Sequence, residues 1–158
     1  MEMQAVIGRI QLQRMAEWTR QRKAHAAQLR AALAPFTAAA GGVIALPWLD
    51  EADGSCHAQY KFYAYVRPQN LAAGWSRDRI AAEINALGVP CFQGSCSEVY
   101  LEKAFDGTGW RPAQRLAVAK DLGESSLMFL VHPTLTQAEM DQTAAAIQTV
   151  LKAAQNAK

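Results

Sequence analysis

The chain has little of what usually betrays a function. Its cysteines are only Cys56, Cys91 and Cys96; three cannot complete a disulfide framework, which fits a reducing compartment and makes cytoplasm the default. No run approaches the roughly 18 apolar residues a membrane-spanning helix needs. No charged stretch followed by an apolar one opens the chain, so no secretory signal is read. Charge of one sign is scarce too: 16 basic against 14 acidic residues leave a net +2, too little to imply a nucleic-acid partner. Phosphate-cradling glycine loops are missing, since Gly107-Thr108-Gly109 leads to Trp110 rather than into a phosphate-binding helix. Gly94-Ser95-Cys96-Ser97-Glu98 is no nucleophile elbow, because no second glycine follows the serine.

Proline is absent before Pro35, and this absence coincides with a run of strong helix formers. The spacing predicts one long helix over 1–36, with apolar groups at Met3, Ile7 and Ile10 and again at Met15, Trp18, Leu29, Leu33 and Phe36. Such a rod would reach ~50 Å, longer than a small domain is wide, so it joins two domains or docks on another chain. No capping residue precedes it, and Met3, Val6, Ile7 and Ile10 have nothing upstream to cover them. Either the terminal helix frays, or the chain is cut from a longer protein; the second is the expectation.

Residues 37–158 are expected to form a small α+β domain. Thr37 to Gly54, with Asp50-Glu51-Ala52-Asp53, reads as loop with a short extended piece at Val43 to Leu46. His57 to Val66 reads as the clearest strand, with Tyr60, Phe62, Ala64 and Val66 on one face. Ser76 caps a predicted helix whose buried stripe is Ile80, Ile84 and Leu87, and Gly88 ends it. Val89-Pro90-Cys91-Phe92 reads as an edge strand, Ser97 to Phe105 as a short helix, and Pro112 to Leu122 as another, closed by Gly123. Ser126 to Val131 is a buried strand, and Thr136 opens the last helix. The class is α+β: a long N-terminal helix, then about three mainly antiparallel strands with helices on one face.

Candidate chemistry is sparse. Cys96 could pair with His57 or His132 as a thiol nucleophile, and Cys91, Cys96, Cys56, His57 and His132 could hold zinc, though the C-x4-C spacing is loose. The favoured reading of the thiols is as small hydrophobes, so no metal is assigned. Glu98 and Glu102 share a predicted helix face and read as solvated. His132 follows the most buried strand, where polar groups reach a cleft, and is the best single site candidate; the competing reading is a turn histidine that caps the next segment.

Several stretches together resemble the C-terminal part of the DegT/DnrJ/StrS-type sugar aminotransferases, which use pyridoxal phosphate. They are Glu2 to Leu12 with Trp18 and Arg22, Tyr60-Lys61-Phe62-Tyr63, Gly88-Val89-Pro90, Gly94 to Phe105, and Leu122 to Thr134. The resemblance implies the small C-terminal domain of a fold-type-I pyridoxal-phosphate transferase, with 1–36 as connector helix. It implies a complete enzyme that moves an amino group, commonly from glutamate, to a nucleotide-linked keto sugar. This piece would supply part of the sugar-pocket wall, through Gly94, Ser95, Cys96, Tyr100 and His132.

The Schiff-base lysine and the aspartate that pairs with the pyridine nitrogen lie, in the family, ahead of the matched segment. An asparagine that the family carries near the start of the connector, and that reaches a neighbouring subunit's cofactor phosphate, is absent too. Many relatives carry a histidine on the turn occupied here by Gly94 to Glu98, and this chain has none there. The chain alone is therefore expected to be inactive and without cofactor, partnered by an N-terminal cofactor domain, and a homodimer through its long helix. The rival expectation is a standalone module that uses that helix to dimerise or to dock a partner, without catalysis.

Overall fold

A computed structural model describes residues 2–38, 41–49, 54–94 and 96–155. The acidic run 50–53 and Ser95, both invoked above, lie outside the described residues.

The long helix forms as its composition demands. Helix α1 spans Glu2–Leu33, ~48 Å at the usual rise, and a 3-10 turn, Ala34–Phe36, follows where Pro35 removes a donor. Only its last third is anchored: Ala26, Leu29, Ala32 and Leu33 are buried, whereas every residue from Glu2 to Glu17 is exposed. Of the stripe expected to face inward, Leu29, Leu33 and Phe36 do so, Trp18 is half-buried and Met15 is exposed.

Four strands, β1 (Ile44–Ala45), β2 (Phe62–Val66), β3 (Cys91–Gln93) and β4 (Ser126–Phe129), form one sheet in the order β1-β2-β4-β3. All neighbours are antiparallel. The short extended piece near Val43 thus becomes a fourth strand at one edge, and the proline-flanked β3 takes the other, where a missing donor costs no ladder bond.

Register sorts the side chains. Phe62 pairs with Phe129 and Ala64 with Leu127, while Cys91 also pairs with Phe129. Paired residues share a face, so these five with Val66 and Ile44 make the buried side. Helices α1, α2 (Arg77–Ala86) and α4 (Gln137–Ala154) pack there, through Leu29, Ile80, Ile84, Met140, Ile147 and Leu151. The helix starts predicted at Ser76 and Thr136 hold: Ser76 accepts from the Arg79 N–H, and Thr136 and Glu139 form a capping box. Leu87, read as part of the buried stripe, is exposed. The opposite face carries Tyr63, Tyr65, Phe92, Ser126 and Met128.

Three predicted elements differ. The sheet begins at Phe62, not His57, because the His57 ring nitrogen Nδ1 accepts the Gln59 N–H at 3.0 Å and Gln59 adopts φ 49°. That turn ends the extended backbone, and Tyr60 swings into solvent beneath Arg22. The predicted helix over 97–105 is two 3-10 turns, Val99–Leu101 and Lys103–Phe105, and Ser97 does not cap them. Helix α3 spans Ala117–Ser125, starting five residues after Pro112 and running through Gly123 instead of stopping there.

Candidate functional site

Gly94, first of the residues expected to line a pocket, lies on the sheet face opposite α1, α2 and α4. Alternation after Cys91 turns Phe92 and Gly94 to that side. A Cβ at Gly94 would strike the Ser126 hydroxyl and lie 3.4 Å from the Tyr63 ring, so only glycine fits without displacement. The Gly94 N–H donates to Ser126 Oγ at 3.1 Å, and Ser126 is itself buried. A second close approach of the same kind follows, since a Cβ on Gly123 would strike the Ser97 hydroxyl.

Beyond Ser97 the chain is irregular yet densely bonded. Arg115 grips Glu98 in a fork at 2.7 and 2.6 Å. The Tyr100 hydroxyl donates to Glu98 Oε1 at 2.7 Å and accepts the Leu116 N–H at 2.9 Å, tying the turn to the start of α3. Arg111 donates to the carbonyls of Tyr100, Leu101 and Glu102 at 2.9–3.0 Å and pairs with Asp106 at 2.5 Å. Those carbonyls are the acceptors a continued α-helix would need. Their capture explains why the helix predicted here does not form. Glu98, read from sequence as solvated, is enclosed instead, its side chain 12% exposed.

The electrostatics follow from these contacts. The Arg115 fork and then the Tyr100 hydroxyl hold the Glu98 carboxyl below the usual range. Desolvation and the Glu98 bond raise Tyr100. Cys96 Sγ lies 3.3 Å from Glu102 Oε1, and that hydrogen bond raises the exposed thiol. A thiol pushed upward is a poor nucleophile at neutral pH. Cys91 is buried on the core side of β3, and burial pushes it up to about 12. Among the described residues no group of three or more His, Cys, Asp or Glu is placed to hold a metal ion.

Gly94, Cys96 and Tyr100 therefore belong to one loop, while His132 does not join them. Antiparallel pairing sets Gly94 beside Ser126 at the start of β4 and Cys91 beside Phe129 at its end. His132 lies beyond that far end, ~20 Å of extended chain from Ser126. Its Nδ1 contacts Thr134 Oγ1 at 2.7 Å and accepts the Thr134 N–H, as a turn histidine would. Beside the loop, Ser97, Leu116, Val118 and Leu122 line an open apolar cleft of about 620 Å³.

Sequence reasoning missed the residues that hold this loop: Arg77, Ser126, Gly123, Glu98, Arg111 and Arg115. Only Gly123 gave a signal, because a glycine inside a helical pattern often marks a close approach.

A rod and a small antiparallel sheet, helix-covered on one face and bearing a glycine-rooted loop on the other, make a fold that solved aminotransferases share. The family model for the DegT/DnrJ/EryC1/StrS aminotransferases matches residues 1–148, and the chain belongs to that family. Among solved structures, an aminotransferase from Psychrobacter cryohalolentis is 57% identical with a TM-score of 0.90. That match covers 96% of this chain but only 38% of the other. DesV from S. venezuelae, solved with a ketimine intermediate, shares the fold at 22% identity and TM-score 0.76, over 96% of this chain and 36% of its own. NtdA from Bacillus subtilis, with bound cofactor PMP, does so at 20% and 0.68, over 85% and 28%. The chain thus spans 28% to 38% of the length of these relatives. A comparison with curated protein sequences gives no match.

Proposed function

We propose that this chain is the small C-terminal domain of a pyridoxal-phosphate sugar aminotransferase and is inactive alone. The complete enzyme transfers an amino group, commonly from glutamate, to a nucleotide-linked keto sugar for polysaccharide or secondary-metabolite synthesis, in the cytoplasm. The observation that carries the proposal is the 57% identity over 96% of this chain against 38% of its relative. When bound, pyridoxal phosphate supplies the electron sink for amino transfer.

The residues of this chain do not suit that cofactor. None of the described lysines, Lys23, Lys61, Lys103, Lys120 and Lys152, is buried. The one described acid that is not exposed, Glu98, is engaged by Arg115 and Tyr100. The role proposed here is confined to the sugar side: Gly94, Ser95, Cys96 and Tyr100 form part of the pocket wall, while His132 caps its turn. A cofactor domain supplies the reacting lysine.

The exposed stripe Met3, Val6, Ile7 and Ile10 on α1 supports a second element of the proposal. Such a patch is best covered, and pairing of two α1 helices into a homodimer covers it. A standalone pairing module without catalysis makes the same use of the stripe.

The deciding experiment fuses this chain to the cofactor domain of the Psychrobacter relative and assays amino transfer from glutamate to nucleotide-linked keto sugars. Transfer by the fusion, and none by the chain alone, is expected. A folded, cofactor-loaded fusion that is inactive on all of them contradicts the proposal.

A further inference from the structure

Helix α2 begins with Arg77, whose side chain is only 10% exposed. Its Nη1 donates to the carbonyls of Gly123 and Ser126 at 3.0 and 2.9 Å, and its Nε to Asp78 at 2.7 Å. Acceptors on both Nη1 and Nε offset the cost of enclosing this cation. The two carbonyls bracket the passage from α3 into β4. The same four-residue passage presents the Ser126 hydroxyl to Gly94 and the Gly123 Cα to Ser97. One guanidinium thereby fixes the surface against which both ends of Gly94–Ser97 are seated.

We infer that Arg77 and Ser126 are positioning residues of the sugar-pocket wall: Arg77 sets the α3–β4 passage, and Ser126 transmits that setting to Gly94 and Cys96. Neither belongs to the wall itself. The part played by the wall rests on the aminotransferase reading; the mechanical coupling does not.

The chain holds its own reporters. In a Cys56→Ser background, Cys96 reports the loop and the buried Cys91 reports opening of the core. Labelling with a small thiol reagent is followed at each by mass spectrometry. Ser126→Ala and Arg77→Met are each expected to speed labelling of Cys96 several-fold while Cys91 stays protected. The double variant is expected to gain little over either single one, as for residues acting in series. An unchanged Cys96 rate overturns the inference, and so does Cys91 labelling that rises in step with Cys96. Should Arg77→Met fail to fold, Ser126→Ala, which removes one oxygen atom, decides alone. No sugar or cofactor enters this test, so an inactive fusion enzyme with coupled labelling would refute the aminotransferase reading and leave the coupling standing.

Discussion

Glycine at position 94 is dictated by contact, not by backbone torsion. Gly94→Ala drives a methyl group into Ser126, and overpacking of this kind costs about 1–3 kcal/mol; a thermal melt should show it, and Ser126→Gly should return part of the loss. Thr136→Ala removes one half of the α4 capping box and is expected to cost about 1 kcal/mol by denaturant unfolding. Glu98 gives a pH signature. Its folded pKa is depressed, so its contribution is complete above roughly pH 4.3, the free-glutamate value, and is lost as pH falls through the lower folded value. Tyr100 ring resonances should shift in that acid window and cease to do so in Glu98→Gln. Tyr100 shifts that follow pH identically in the wild type and in Glu98→Gln would contradict the Glu98 assignment.

At the scale of elements, legibility followed locality. Helices α2 and α4 could be read because their caps and apolar periods lie within their own sequences, at Ser76, Thr136, Ile80, Ile84, Met140 and Ile147. The segment 97–105 could not, because Arg111 and Arg115, nine to 17 residues downstream of the groups they bind within it, decide its shape. His57 to Lys61 misled for a related reason: its aromatic content suits a strand, but one ring nitrogen turns it. Gly94, Cys96 and Tyr100 were singled out only by family resemblance, whereas Arg77 and Ser126 meet their partners through tertiary contact. Helix α1 was legible as a rod and, at Met3 to Ile10, as an uncovered one. Ile7→Glu with Ile10→Glu should leave the monomer's secondary structure unchanged by circular dichroism, since both positions are exposed, and should abolish any self-association seen by light scattering. A chain strictly monomeric at high concentration would speak against pairing through α1.

For the molecule as a whole, the sheet separates two jobs. One face buries the apolar core under three helices; the other carries a loop braced by arginines at both ends, with an apolar cleft beside it. The braced loop suits a wall, and none of the described lysines is buried. The most direct test mixes the purified chain with pyridoxal phosphate near neutral pH, scans for a protein-bound absorbance band, then reduces with borohydride and weighs the product. The account predicts no stoichiometric adduct. One equivalent of cofactor fixed on a single lysine would contradict it.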